Sequence, residues 1–501
     1  MVQHTTQQGP PTYGHWRKPR SAGLFGLGAG GTVFGLVGIV LALVFYMVWW
    51  PAAVGMLVLM ALILGPLLVK DRGGRTGLST LLWRVTWWRG SRKGQNIYRA
   101  GPTSVVPDGL HRLPGLLAPS AMYHAQDSYG RPFGMIHVPW AGHYTAVLRA
   151  DADGASLVDG EQIDAWVAGW GGWLAQLSHE PGLAAVTVTV ETAPDFGERL
   201  RREVDEMVDP SAPQLARAVM QEAAATYPAG SAQVVTRIAL TYRATTPQGR
   251  RRDVEDMAIE IGTRLPGLAE GLALTGAGAA RPMTAQQIAE TVFAAYNPAE
   301  AGLVDRARNQ PQGHGITWEN CGPSGGHEER RDRYAHGSGF SVTWAMEEAP
   351  RGTVLSSVLT ELLRPHPELN RKRVTLVYRP HDRGTGASIV DNDLNNARFL
   401  ESRRRSPQAR DSLEVRAAEQ STREEAAGAG VVRFSLLVTA TVLSPADYQQ
   451  AETLLHNMSA ASRIRLRRVY GGQSAAFAGA LGVGVILPHH SNVPALLTEH
   501  I

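Results

Sequence analysis

Two short motifs contain residue types that catalysis or metal binding uses. The letters GPSGG at 322–326 match GxSxG, the pattern that holds a nucleophilic serine on a sharp turn between a strand and a helix. The flanking residues here are polar, so the pattern favours a flexible turn. His314, His327 and His336 are near enough in sequence to meet around a metal ion, but the aperiodic segment favours an exposed loop. Cys321 is the only cysteine, which excludes an intramolecular disulfide and a cysteine-based metal cluster.

Nucleotide-binding patterns are missing from the sequence. No GxxxxGK[ST] occurs, so the chain has no P-loop to hold the phosphates of ATP. GAG at 276–278 lacks the third glycine of a dinucleotide fingerprint, and Thr284 with Gln287 instead fits the capping box of a helix start. The basic run at 403–410 has acidic neighbours, which favours a solvated helix face over contact with nucleic acid. We therefore predict no catalytic, cofactor-binding or metal-binding residue, no enzymatic activity and no nucleic-acid partner.

The segments around these motifs alternate between strand and helix patterns. Residues 186–190 alternate as Val-Thr-Val-Thr-Val, and 234–243 place apolar residues on one face, as strands do. Apolar residues at helical spacing follow at 254–265. The same strand–helix–strand order recurs at 340–378 and 431–470. Repeats of this kind predict α+β domains of ferredoxin-like type.

The N-terminal part has a different character. The first 100 residues hold eleven Lys or Arg and one acid, Asp71, within a chain of net charge +4. Residues 21–69 contain no charge over 49 positions, which predicts two membrane-spanning helices at 26–48 and 51–69. Basic residues flank both ends of this run, so a two-pass protein of the plasma membrane with both termini in the cytoplasm is expected. A cleaved signal peptide would have a shorter apolar core and a small-residue cleavage site.

Two sets of residues are assigned to this predicted hairpin. Glycines at GxxxG spacing allow close helix packing, either within the hairpin or in a homo-oligomer, and these are Gly26, Gly30, Gly31 and Gly35. Aromatic and basic residues at its ends and in the amphipathic stretch 78–99 suit the interface with anionic lipid. These interface residues are Tyr46, Trp49, Trp50, Arg72, Arg75, Trp83, Arg84, Trp88 and Arg89.

Composition also suggests where the domains divide. The stretch 309–338 is polar, rich in Gly, Pro and His, and reads as a linker. The predicted divisions are a cytoplasmic tail (1–20), a transmembrane hairpin (21–70), a basic interfacial segment (71–110), a first α+β domain (111–300), a flexible linker (301–338) and a second α+β domain (339–501).

The order of these parts resembles known secretion proteins. The hairpin resembles PrgI-type subunits of Gram-positive type IV secretion systems. The body resembles the N-terminal, non-motor domain of the type IV secretion ATPase through RLPGL at 264–268, MTAQQ at 283–287 and YNP at 296–298, and again through 431–470. Nearly the whole chain, with GP at 101–102, RLPG at 112–115 and WAM at 344–346, resembles an actinobacterial family of two-span proteins from conjugation-like loci.

These resemblances imply a structural subunit and not an enzyme. The motor domain that follows in the ATPases has no counterpart in this sequence, so the implied partner is a separate P-loop ATPase or coupling protein. A more distant resemblance, in architecture alone, is to EccE of type VII secretion. A membrane-tethered enzyme is the alternative from another class of function.

Overall fold

A single antiparallel sheet organises most of the chain. The computed structural model describes Tyr13, Trp16 and residues 29–68, 77–101, 104, 109–152, 154, 158–226, 232–246, 248–308, 313–350, 352–403, 409–426 and 428–490. Contacts divide the chain into two units. Unit 1 comprises 1–14, 96–382 and 430–486, and unit 2 comprises 15–95, 383–429 and 487–501.

All the described strands lie in unit 1 and belong to one sheet of 13 strands. In chain order they are β1 (Ile97–Tyr98), β2 (Ala121–Gln126), β3 (Pro132–Val138), β4 (His143–Asp151), β5 (Leu183–Pro194), β6 (Ala232–Arg243), β7 (Ala279–Pro282), β8 (His327–Glu329), β9 (Tyr334–His336), β10 (Gly339–Glu348), β11 (Arg371–Pro380), β12 (Val432–Val442) and β13 (Arg465–Arg468).

The helices are divided between the two units. Unit 1 contains α4 (Gly160–Leu177), α5 (Glu198–Met207), α6 (Gln214–Thr226), α7 (Val254–Leu272), α8 (Ala285–Tyr296), α9 (Ala301–Ala307), α10 (Thr360–Leu363), α13 (Tyr448–Ala461) and α14 (Gln473–Gly479). Unit 2 contains α1 (Ala29–Val48), α2 (Trp50–Leu68), α3 (Gly77–Arg92), α11 (Arg383–Arg403) and α12 (Ala409–Ala426).

The centre of the sheet consists of two halves with the same connectivity. The strand order is β7-β4-β6-β5 in the first half and β13-β10-β12-β11 in the second, with every neighbouring pair antiparallel. In each half, helices link the first strand to the second and the third to the fourth, which is the ferredoxin-like order. A pair of helices is inserted at the same place in both halves, between the second and third strands: α5–α6 and α11–α12.

The two halves are joined by backbone pairing between β5 and β11. Seven residue pairs run from Lys372 opposite Thr192 to Tyr378 opposite Val186. The predicted fold class is corrected here. The strand–helix–strand repeats were expected as separate α+β domains, but their strands form one continuous antiparallel sheet, and strands from 111–300 and 339–501 pair directly. Local periodicity identifies a strand but carries no information about its neighbour.

One face of the sheet is packed by helices. In the first half, α7 contributes Met257, Ile261 and Leu265 to a core with the strand residues Leu148 and Leu240, all fully buried. A separate core under α10 and α13 covers the same face of the second half. These apolar positions alternate along their strands with polar ones, so the opposite face is polar.

The polar face is lined with threonine, and these side chains are buried. Hydroxyl groups pair across neighbouring strands: Thr189 with Thr375 at 3.1 Å, and Thr343 with Thr439 at 2.9 Å. The threonines of this face with at most 1% exposure are Thr145, Thr187, Thr189, Thr241, Thr343, Thr375, Thr439 and Thr441.

The segment that follows α14 covers this face and is built from small residues. The carbonyl oxygen of Ala480 accepts from the Thr375 hydroxyl at 3.0 Å. Gly484 has φ +80°, and a Cβ atom there would lie 2.2 Å from Oγ1 of Thr145 and 2.5 Å from Oγ1 of Thr241. Glycine is therefore required by both backbone conformation and space.

Replacing Gly484 should destabilise the folded protein. We expect Gly484→Ala to lower the free energy of unfolding by about 2–4 kcal/mol, because overpacking adds to the cost of a left-handed backbone. Gly130→Ala is the matched control, since Gly130 has φ +75° but no atom within 4 Å of the added Cβ. It should cost about 1–2 kcal/mol. Urea unfolding of both variants checks this, and equal costs would show that the covering segment does not pack as described.

Unit 2 contains a helical hairpin formed by α1 and α2. Gly38 allows its close packing, since a Cβ atom there would lie 2.3 Å from the sulfur of Met60. Ala42 and Ala53 are also buried. In the other helical pair, Arg398 of α11 and Glu419 of α12 form an ion pair at 2.9 Å.

The prediction of two membrane spans is wrong by this structure. Among the residues described, no helix is long and apolar enough to cross a membrane. The prediction rested on an absence of charge over 49 positions, whereas a span needs length and apolarity together in one helix. The predicted transmembrane hairpin, with its two-pass localisation in the plasma membrane, is corrected accordingly.

Candidate functional site

The GxSxG match at 322–326 forms a turn fixed by Asn297. The amide oxygen of Asn297 accepts from the backbone nitrogen of Ser324 at 2.7 Å and from its hydroxyl at 2.8 Å. The amide nitrogen donates to the carbonyl oxygen of Gly322 at 3.1 Å. Asn297 is fully buried and follows α8, so the serine ties a helix end to a loop.

The three histidines of the polar segment each contact a different residue. His314 lies 2.7 Å from Glu290, His327 accepts or donates at 3.0 Å with the Tyr334 hydroxyl, and His336 lies 2.7 Å from the Ser341 hydroxyl. Within the described part of the chain, no group of three or more His, Cys, Asp or Glu could hold a metal ion. Part of the segment predicted as a linker also forms β8 and β9.

The residues assigned to the N-terminal hairpin lie in three environments. Gly26, Arg72 and Arg75 fall outside the described residues. Gly30, Gly31 and Gly35 belong to α1, and a further glycine of this helix, Gly38, packs against Met60 of α2. The remaining side chains are exposed and belong to α1, α2, α3 or the turn between the first two: Tyr46, Trp49, Trp50, Trp83, Arg84, Trp88 and Arg89.

A chain of hydrogen bonds runs through the buried polar face in the second half of the sheet. One ring nitrogen of His336, Nδ1, lies 2.8 Å from the backbone oxygen of Tyr296, and the other, Nε2, lies 2.7 Å from Ser341 Oγ. Ser341 Oγ is in turn 2.7 Å from the Thr441 hydroxyl. Burial lowers the pKa of His336 to about 3 and, with Arg99 nearby, that of His327 to about 4. Both imidazoles are therefore neutral at pH 7.

This histidine and serine have the contact that nucleophilic catalysis uses, in a place that a substrate does not reach. Ser341 is 0% and His336 is 1% exposed. The neutral ring donates to a backbone carbonyl and accepts from the serine, which satisfies both groups. We therefore assign the pair a structural role in fixing β9 and β10 against α8.

A buried cluster of charged residues lies at the β5–β11 junction. Glu191 of β5 accepts from Arg237 of β6 and, at 2.5 Å, from Arg371 of β11. Arg373 sits directly opposite Glu191 in the strand pairing. The four side chains project from the same polar face as the threonines, and their residues are at most 7% exposed. We call these four residues the arginine cluster.

The arginine cluster contains three arginines and only one carboxylate, Glu191. Burial on its own would raise the pKa of Glu191, but the charges of Arg237, Arg371 and Arg373 outweigh it and hold the pKa well below its ordinary value. Burial lowers the pKa of Arg373 to about 10, so it remains charged at neutral pH. Three cations thus surround one carboxylate.

Two members of the arginine cluster, Glu191 and Arg373, lie one residue outside the strands predicted from the sequence. The strand predicted at 186–190 stopped just before Glu191. In the unit predicted at 340–378, the final strand pattern begins at Val374, just after Arg373. The alternation of Arg373 and Thr375 with the apolar Val374 and Leu376 was the available signal. However, charged residues on one strand face ordinarily indicate a solvated face. A cavity of about 200 Å³ elsewhere in unit 1, lined by Arg131, Pro266 and Glu270 among others, does not involve the cluster.

The fold and the arginine cluster define an α+β protein with a continuous antiparallel sheet and a buried, cation-rich polar face. A family model described as a domain of unknown function, DUF8461, matches residues 20–79, which include α1 and α2. No curated protein matches the chain.

Proposed function

We propose that the protein is a non-catalytic structural subunit of a larger assembly of secretion or conjugation type, with a separate P-loop ATPase as the motor. The resemblance of 264–298 and 431–470 to the non-motor domain of type IV secretion ATPases supports this role. The single observation that carries the proposal is the apolar surface of the α1–α2 hairpin.

The exposed apolar surface of the α1–α2 hairpin is larger than monomeric soluble proteins usually carry. Large apolar residues with 41–88% exposure occur at nearly every turn, and they are Leu36, Val37, Ile39, Val40, Leu41, Leu43, Val44, Phe45, Tyr46, Met47, Trp49, Trp50, Val54, Leu57 and Val58. Contiguous exposed apolar patches beyond a few hundred Å² mark interaction sites. The small residues Gly38, Ala42 and Ala53 are buried where α1 and α2 pack against each other, and the large residues face outward.

The chemistry of the hairpin indicates what covers it. Neither α1 nor α2 contains a charged residue. Two copies of this surface can therefore pack together without burying an unpaired charge, whose cost would oppose association. We propose that the hairpin assembles with the same hairpin of further copies. We also propose that unit 1, which contains the sheet and is called the sheet unit below, docks the ATPase.

A charge placed on this surface should disrupt the assembly. We expect the double variant Val40→Glu/Leu43→Glu to weaken self-association at least about a hundredfold, because two carboxylates would be buried in an apolar interface. Sedimentation of the purified full chain measures this. Ile259→Glu is the control, since Ile259 is 71% exposed on α7 of the sheet unit. A wild-type protein that stays monomeric, with or without detergent or lipid, would contradict the proposal.

The motor partner calls for a separate experiment. Tagged protein is isolated from its native cells under mild conditions, and the co-purifying proteins are identified by mass spectrometry. A stoichiometric P-loop ATPase that persists with the Val40→Glu/Leu43→Glu variant would support docking through the sheet unit. Isolation of the protein with no ATPase, or turnover of ATP by the purified chain itself, would overturn the assigned role.

A further inference from the structure

The arginine cluster holds more positive charge than the protein neutralises. Glu191 uses both carboxylate oxygens, one on Arg237 and one on Arg371. Arg373 is 0% exposed, and none of its three guanidinium nitrogens has a hydrogen-bond partner. Nε of Arg237 and Nε of Arg371 also lack partners. Five buried donors around one carboxylate are far from the near-complete satisfaction that protein interiors show.

The groups packed around Arg373 do not supply the missing charge. Its guanidinium lies 4.5 Å from the ring centre of Phe477, a cation–π contact that satisfies no N–H donor. Two titratable groups, His336 of β9 and the neutral hydroxyl of Tyr296 of α8, interact electrostatically with Arg373, and neither carries a negative charge. Asp305 of α9 interacts electrostatically with Arg371, but it forms its ion pair with Arg308 at 3.2 Å.

We propose that the arginine cluster is a binding site for a small oxyanion, a phosphate or a phosphoryl group, held by Arg373 with the free donors of Arg237 and Arg371. A tetrahedral oxyanion accepts several N–H bonds at once, and the planar guanidinium matches it with two parallel donors. Its charge would balance the two cations that Glu191 leaves unneutralised. This site is independent of the proposed assembly role.

The position of the site indicates how the anion is held. Arg373 lies beneath Phe477 of α14, and the Gly- and Ala-rich segment to Ile486 continues across the same face. The cluster is closed, so the anion enters when this segment opens locally or is trapped as the chain folds. We therefore expect slow exchange and co-purification of the anion with the protein.

Analysis of the released ion is the first test. The purified full chain is washed in chloride buffer and denatured, and the supernatant is analysed by ion chromatography and by absorbance at 260 nm. We expect about one phosphate per chain, and the absorbance separates free phosphate from a nucleotide. Protein carrying no oxyanion, which also shows no response to added phosphate, would overturn the proposal.

Thermal unfolding of variants is the second test. Inorganic phosphate at roughly a hundred times its Kd should raise the Tm of the anion-free wild type by about 3–4 °C over chloride of equal ionic strength. Arg373→Met should lose this response and, without phosphate, unfold at or above the wild-type Tm, since a buried unpaired charge has been removed. Arg149→Met, at an arginine whose side chain is 42% exposed on β4, should respond like wild type. Equal responses of wild type and Arg373→Met, or a lower Tm of Arg373→Met without phosphate, would show that Arg373 is purely structural.

Discussion

Glu191→Gln is expected to lower the free energy of unfolding by about 3–5 kcal/mol. The substitution keeps the shape of the side chain but removes the carboxylate that accepts from Arg237 and Arg371, and it leaves buried cations without a counter-charge. Because the pKa of Glu191 is held below its ordinary value, the carboxylate stabilises the fold fully above about pH 4.3. This stabilisation is lost as the pH falls towards the lowered pKa of the folded state. Urea unfolding at pH 7 gives the difference directly.

Two further variants separate charge balance from general disruption. Asp151→Asn breaks an exposed ion pair with Arg149 at 3.2 Å in the same sheet and should cost less than about 1 kcal/mol. The double variant Glu191→Gln/Arg373→Met should recover part of the loss, because it removes one of the uncompensated cations. Costs for Glu191→Gln and Asp151→Asn that agree within error would argue against a buried, strongly coupled cluster.

Mild acid should destabilise the sheet unit through two buried histidines. The pKa of His336 is about 3 and that of His327 about 4 in the folded protein, against about 6.5 when unfolded. Below pH 6.5 the unfolded chain binds protons that the folded chain does not, so stability decreases as the pH falls towards 4. At about 1.4 kcal/mol per pH unit for each group, the loss between pH 8 and pH 5 is roughly 4 kcal/mol.

The His336→Gln variant isolates one of these contributions. Glutamine can still donate to the backbone oxygen of Tyr296 and accept from Ser341, but it does not titrate. The variant should therefore lose about half of the pH dependence contributed by the two histidines. His456→Gln changes an exposed residue of α13 and should leave the curve as in wild type. Stability curves measured from pH 8 to pH 5 that coincide for wild type and His336→Gln would refute the assignment.

Sequence reasoning succeeded where a local signal was sufficient. The capping box predicted for Thr284 and Gln287 is present at the start of α8, and the strand predicted at 234–243 corresponds to β6. The GxSxG letters at 322–326 form a turn, as the polar flanks indicated. It failed for the membrane spans, because no helix among the described residues is long and apolar enough to cross a membrane.

By itself, the sequence indicated strands such as β6 and helices such as α8, and that their repetition gives an α+β protein. Only the tertiary structure decided that β5 pairs with β11, which places Arg373 opposite Glu191 across 181 intervening positions of the chain. It also decided that the threonine- and arginine-bearing face is buried. The physical reason is that periodicity assigns a side chain to one face of its strand, while burial depends on what packs there. In this protein, a distant segment of glycine and alanine is small enough to cover a polar face that the pattern alone would leave in water.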